Sequence, residues 1–298
     1  MTAGAYAAFL AVLSWGVPPA RPLPSPAASQ AVVFVRGPGT SQLVVPIACL
    51  SPEGALVAAA GSDCLRAVPA RAQVLLDSGE IVTASERVIA TCPGGDGAQR
   101  DALELAGGPF NFSYAVWPPA AGPSFARVSH RPPDNLPIAV PAAEYREVRR
   151  LVGGRARGDL DVLQRFEADL DGDGAKDVLY SVDVRCTPQE MRKRTGQADG
   201  EPWSCFNGLI VRWGGKGPFA IVTQDWDLGQ VGAVFDLDGD RRPELLVFAP
   251  LDEGFRRQVF TVDRRQLKPH DAWCCGCEAQ ARNNQQRRAC TTRAAAGR

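Results

Sequence analysis

Short apolar runs separated by Gly, Pro, Asp and Ser recur along the chain from about residue 30 to residue 140. Examples are A-V-V-F-V, Q-L-V-V-P-I, A-Q-V-L-L, E-I-V-T-A-S-E-R-V-I-A-T, F-N-F-S-Y-A-V-W and F-A-R-V-S-H. Runs of this length with turn residues between them are typical of the strands of a β-sandwich or a small barrel. The pattern therefore predicts a β-domain of sandwich or barrel type over residues 29–140.

One segment, A-A-E-Y-R-E-V-R-R-L-V, has the period of a helix instead. Its apolar positions, spaced so that they share one face, are Tyr145, Val148, Leu151 and Val152. Two glycines at 153–154 end the pattern, and three prolines between residues 132 and 137 mark a linker before it. Residues 141–158 are therefore predicted to be a helix and linker between two β-regions.

Beyond the helix, a unit of strand, acidic loop and strand occurs twice. The first loop, residues 169–177, reads D-L-D-G-D-G-A-K-D, and the second, residues 236–244, reads D-L-D-G-D-R-R-P-E. Residues 178–184 show a period of two after the first loop, and residues 245–248 form a short apolar run after the second. Apolar residues also precede both loops, so a strand is predicted on each side.

Carboxylates occupy positions 1, 3, 5 and 9 of both loops. They are Asp169, Asp171, Asp173 and Asp177 in the first loop, and Asp236, Asp238, Asp240 and Glu244 in the second. Calcium takes roughly six to eight oxygen ligands, and carboxylates at alternate positions of a tight loop can converge on one ion. The sequence therefore predicts two Ca²⁺ sites. The first loop matches the pattern more closely, because Arg241 replaces the second glycine in the second loop.

The EF-hand is the main alternative for such a loop, and the sequence excludes it. An EF-hand loop needs a bidentate Glu at position 12 and a helix on each side. Position 12 is Tyr180 in the first copy and Val247 in the second, and strands are predicted where the EF-hand has helices.

The repeated unit resembles the FG-GAP/VCBS repeat, the calcium loop of integrin-type β-propellers and of many secreted bacterial proteins. The resemblance implies that the loop joins two antiparallel strands. It also implies that the main-chain oxygen of position 7, which is Ala175 in the first loop and Arg242 in the second, completes each site. A propeller has about four to eight blades, whereas two loops are found here. A β-meander or partial propeller with two calcium loops is therefore expected over residues 159–277.

The N-terminus has the pattern of an export signal. An apolar run over residues 3–16 is followed by a stretch rich in proline and small residues. The run is shorter than the ~20 apolar residues of a membrane span. Residues 1–28 are therefore predicted to be a signal peptide, with a buried N-terminal helix as the alternative. The protein is expected to be secreted, periplasmic or at the cell surface, without an integral membrane anchor.

The nine cysteines favour an oxidising compartment, where disulfides persist. Cys186 and Cys205 flank a polar stretch between the acidic loops, and a disulfide is predicted between them. Cys49, Cys64 and Cys92 are three in number, so one of them is free or pairs with a cysteine of the C-terminal group at 274–290. Cys274 and Cys277 form a C-x-x-C, but the second pair that a zinc site needs is absent, so disulfides are the preferred interpretation.

The net charge and the small number of histidines limit the classes of function that the sequence favours. With 33 basic and 33 acidic residues the net charge is zero, which gives no field for a nucleic-acid partner. Residues 278–298 form a basic tail that is predicted to be disordered. The chain has only His130 and His270, and neither lies in a recognisable catalytic motif.

Together these patterns predict a secreted, calcium-stabilised β-protein of binding or adhesion type, without catalytic activity. Its partner would be an unidentified surface protein or glycan. The alternative is an extracellular hydrolase with an active site near His130 in the N-terminal domain and an accessory calcium-binding domain. A purely structural envelope component is a third possibility.

Overall fold

The computed structural model of the protein describes residues 30–37, 42–59, 63–92, 99–107, 112–127, 138, 140–153, 156–195, 204–224, 229–251 and 254–275. The predicted signal peptide, the proline linker, His130 and the basic tail lie outside these residues. Strands make up 53% of the described residues, so the prediction of a mainly β protein is confirmed.

The N-terminal strands form a closed barrel rather than a sandwich. They are β1 (Val32–Arg36), β2 (Leu43–Leu50), β3 (Leu56–Ala58), β4 (Gln73–Leu76), β5 (Ile81–Ala90), β6 (Arg100–Leu105) and β7 (Tyr114–Trp117). Their order is β1-β7-β4-β5-β6-β2, and β2 pairs with β1, which closes a ring of six antiparallel strands. One residue of every two on each strand points into the ring, where Phe34, Val74 and Leu103 are buried.

Two further sheets follow the barrel. The elements are β8 (Phe125–Arg127), α1 (Ala142–Gly153), β9 (Leu160–Ala168), β10 (Asp177–Arg185), α2 (Pro188–Thr195), β11 (Ser204–Arg212), β12 (Ala220–Gln224), β13 (Gln230–Phe235), β14 (Glu244–Leu251), β15 (Gly254–Asp263) and β16 (Gln266–Cys275). Sheet I has the order β12-β11-β10-β9, and sheet II has the order β16-β15-β14-β13-β8. Each contains four consecutive antiparallel strands, as a β-meander does. Strand β8, which the sequence groups with the N-terminal strands, pairs with β13.

The layers are stacked in the order helix, sheet I, sheet II and barrel. Helix α1 covers one face of sheet I with Val148 and Val152 of the predicted apolar face, whereas Tyr145 of that face is 39% exposed. The other face of sheet I packs on sheet II through residues such as Leu179 and Leu245. The opposite face of sheet II packs on the barrel, where Trp273 is 1% exposed. Sheets I and II therefore face each other directly.

Two polar side chains bridge this apolar interface. Gln164 on β9 donates from Nε2 to the carbonyl of Val231 (2.9 Å), and its Oε1 accepts from the amide of Val231 (2.7 Å). Ser181 on β10 donates to the carbonyl of Gly229 (2.9 Å). Val231 lies next to a register shift between β13 and β14. Gln164 thus satisfies backbone groups of sheet II from within sheet I and fixes how the two sheets align.

The alignment role of Gln164 is testable by Gln164→Ala. This change removes both hydrogen bonds to Val231 in a buried interface, where an unsatisfied polar group costs about 1–3 kcal/mol. We expect the free energy of unfolding, measured by chemical denaturation, to fall by about 2–4 kcal/mol. Gln73→Ala, at an exposed position of β4, is the control and should change it by less than about 0.5 kcal/mol. Equal losses in the two variants would contradict the role of Gln164.

Candidate metal centres

The two acidic loops occupy equivalent positions in sheets I and II. The first (loop 1, residues 169–177) connects β9 to β10, and the second (loop 2, residues 236–244) connects β13 to β14. Both strand pairs are antiparallel. The loops also touch, since a Cβ atom added at Gly172 would lie 2.6 Å from the carbonyl oxygen of Arg241. Only glycine fits this close approach of the two loops.

Position 1 of each loop holds the backbone in the same way. The Asp169 carboxylate accepts hydrogen bonds from the amides of Gly172 and Gly174, both at 2.9 Å. The Asp236 carboxylate accepts from the amides of Gly239 (2.8 Å) and Arg241 (3.1 Å). Both aspartates therefore bind the amides of positions 4 and 6.

The match continues at positions 3 and 5, where each carboxylate accepts from the amide two residues on. In loop 1, Asp171 accepts from Asp173 (3.3 Å) and Asp173 accepts from Ala175 (2.7 Å). In loop 2, the corresponding distances are 3.1 Å for Asp238 and 2.6 Å for Asp240. Two different sequences thus form one hydrogen-bond scheme.

The arginine that replaces a loop glycine does not disturb this scheme. Arg241 has a φ of 68°, close to the 85° of Gly174 at the same position. This left-handed conformation is uncommon for a residue with a Cβ atom. The Asp236 hydrogen bond to the amide of Arg241 helps to hold it there.

Position 9 places a carboxylate in the interior at the start of the second strand. Asp177 is fully buried and accepts from the amides of Leu170 (2.8 Å) and Gly214 (2.6 Å). Burial raises the pKa of Asp177, although these amides oppose the shift. Glu244 accepts from the amide of Leu237 (3.2 Å), and burial raises the pKa of Glu244 to about 8. Buried carboxylates beside other carboxylates favour the approach of a cation.

Three carboxylates converge in each loop. Ligand atoms of Asp169, Asp171 and Asp177 lie within 4.8 Å of one another, as do those of Asp236, Asp238 and Asp240. Both triads can hold a metal ion, and an all-oxygen ligand set fits hard cations such as Ca²⁺, Mg²⁺ or Mn²⁺.

The other predicted ligands are placed close to these triads. Asp173 of loop 1 faces an arginine, with its Oδ2 atom 3.5 Å from Arg265, and Glu244 of loop 2 turns to the amide of Leu237. The participation of these two side chains and of the main-chain oxygens of Ala175 and Arg242 stays a prediction.

Sequence reasoning missed Arg265, which lies in the turn between β15 and β16. Its Nε atom is 2.9 Å from Oδ2 of Asp171, so a sheet II side chain forms an ion pair with loop 1. The D-R-R-Q sequence at 263–266 indicates a polar turn. Nothing in that local pattern identifies the distant loop that the turn contacts.

The disulfide predicted between Cys186 and Cys205 is present, with the two sulfur atoms 2.08 Å apart. A second disulfide joins Cys49 to Cys64 at the barrel. Cys92, the third cysteine of the N-terminal group, is also disulfide-bonded. Cys277 of the C-x-x-C lies outside the described residues.

Asp271, which follows His270, is buried, and its two carboxylate oxygens accept hydrogen bonds from Arg100 (2.9 and 3.1 Å).

The fold and the loops define the class of protein: a closed six-stranded barrel joined to two antiparallel sheets with matching acidic loops. Among the described residues, no helix is both long and apolar enough to cross a membrane. Comparisons with protein-family models, curated proteins and solved structures gave no significant match.

The raised pKa of Glu244 gives a testable pH dependence for the metal-free protein. Between about pH 4.5 and pH 8, the folded state binds more protons than the unfolded state, so stability falls as the pH rises. We expect the melting temperature in EDTA to fall between these limits. Glu244→Gln keeps an oxygen acceptor for Leu237 and should show a smaller fall. Identical pH profiles for the two proteins would contradict the assignment.

Proposed function

We propose that the protein is a secreted binding module in which two calcium ions stabilise the paired sheets, in the manner of FG-GAP/VCBS repeats. The main observation that supports this proposal is the hydrogen-bond scheme that the two loops share. The five loop-internal contacts repeat at equivalent positions although the residues at positions 6, 7, 8 and 9 differ. A scheme retained through such differences favours a common role for both loops.

Calcium is the proposed ion because every ligand in the two triads is a carboxylate oxygen from an irregular loop. Ca²⁺ accepts irregular arrangements of carboxylates and carbonyls, whereas Mg²⁺ demands near-ideal octahedral geometry and retains water. Sites of extracellular modules bind calcium with a Kd of about 10⁻⁴–10⁻³ M. Such affinities suit an extracellular setting, which the disulfides at Cys49–Cys64 and Cys186–Cys205 also favour.

The proposed partner is a surface protein or a glycan. The loops lie together at one end of the strands of the paired sheets. Bound ions would order this end for contact with a partner. The binding role itself follows from the resemblance of the loops, since a site rather than a fold specifies function.

Calcium titration by calorimetry, with melts in EDTA and in calcium, tests the metal proposal. The wild-type protein should show two saturable sites, and each should add about 2.7 kcal/mol to stability at a hundred-fold excess over Kd. Asp171→Asn and Asp238→Asn should each remove one site, because each takes a charged ligand from one triad.

Asp263→Asn is the control for these variants. Asp263 lies at the same surface and pairs with Lys268 instead of entering a triad, so both sites should persist. No heat of binding and no change in melting temperature would rule out a calcium role for the loops.

A further inference from the structure

A cation from the protein itself already contacts loop 1. The guanidinium group of Arg265 lies 2.9 Å from Oδ2 of Asp171 and 3.5 Å from Oδ2 of Asp173. The other oxygens of these two carboxylates accept the loop amides described above. Arg265 therefore takes the oxygens that are left for a metal ion at positions 3 and 5.

Loop 2 has no equivalent cation among the residues that the structure describes. Within the part of the chain that the structure describes, none of the carboxylates of Asp236, Asp238 and Asp240 forms an ion pair with an arginine or lysine. The two loops, which share a hydrogen-bond scheme, therefore differ in whether a positive side chain competes for their oxygens.

The backbone at the turn is arranged to hold Arg265 in this position. Arg264 and Arg265 have φ values of 50° and 62°, in a two-residue hairpin turn where Asn and Gly are the favoured residues. Residues with side chains adopt such conformations only when the surroundings compensate for the strain. The β15–β16 hairpin, which pairs Asp263 with Gln266 around the turn, supplies this compensation and holds the Arg265 backbone beside loop 1.

The side chain also has space to leave. It is 54% exposed and borders a cavity of about 530 Å³, which is lined by Asp171, Arg242, Val262, Asp263, Arg264 and Arg265. Movement of the guanidinium group away from loop 1 therefore needs no rearrangement of the packed sheets.

From these contacts we infer that Arg265 is an internal competitor of the divalent cation at loop 1, so that ion binding there displaces Arg265 and frees the β15–β16 turn. This inference rests on the proposed function. The sequence pattern alone would give loop 1 the higher calcium affinity, because loop 1 has the better motif. The competing cation acts in the opposite direction and lowers the affinity of loop 1.

Calcium titration of Arg265→Gln in the Asp238→Asn background, which isolates loop 1, tests the competition. An exposed ion pair is weak, and loss of the Arg265 contacts should raise the calcium affinity of loop 1 about two- to tenfold. Arg264→Gln is the matched control: it removes the same charge from the same turn without breaking an ion pair with loop 1. Its effect should be less than about twofold.

A second readout does not depend on affinity. Arg265→Gln should lower the melting temperature in EDTA, where the ion pair exists, and leave it close to that of the parent protein in saturating calcium, where it has been displaced. Equal affinities of loop 1 in Arg265→Gln and Arg264→Gln, or weaker calcium binding in Arg265→Gln, would overturn the inference.

The outcomes separate this inference from the proposed function. Two calcium sites in the wild-type protein with an unchanged affinity in Arg265→Gln would leave the function standing and remove the competition. Calcium binding to loop 1 in Arg265→Gln alone would support the competition strongly. The absence of binding in every variant would overturn both, since no cation would then compete with Arg265.

Discussion

The two acidic loops depend on carboxylates that are buried at the start of a strand. Asp177 is fully buried and Glu244 is 3% exposed, although an unpaired charge in such surroundings costs several kcal/mol. Backbone amides offset part of this cost, and for Glu244 the raised pKa shows that burial dominates. Each loop therefore contains a buried carboxylate whose charged form a nearby positive charge would stabilise.

The layered architecture places these groups where one cation can influence both sheets. Sheets I and II face each other across an apolar interface that Gln164 aligns through the backbone of Val231. Loop 1 and loop 2 consequently touch at Gly172 and Arg241, and Arg265 reaches from sheet II to loop 1. The contacts of Arg265 with Asp171 and Asp173 therefore link the β15–β16 turn of sheet II to loop 1 of sheet I.

Local features of both the fold and the candidate site followed from the sequence. The period of two after loop 1 and the apolar residues that flank both loops predicted β9, β10, β13 and β14, and the helical spacing predicted α1. The contacts inside each loop join residues within a few positions of one another, so a nine-residue pattern was sufficient to locate the converging carboxylates. Helix α2 was missed because its polar segment, P-Q-E-M-R-K-R-T, has no apolar stripe that marks a buried face.

Contacts between distant parts of the chain were decided by the tertiary structure. The choice of a barrel over a sandwich required the pairing of β1 with both β2 and β7, and the pairing of β8 with β13 crosses the expected boundary between the two regions.

The sequence by itself determined where strands and acidic loops lie, because these depend on neighbouring residues. It also located the Cys186–Cys205 disulfide, because these two cysteines flank a single polar stretch between the acidic loops. Only the tertiary structure decided that Arg265 would meet Asp171, since that contact depends on how two separately formed sheets pack.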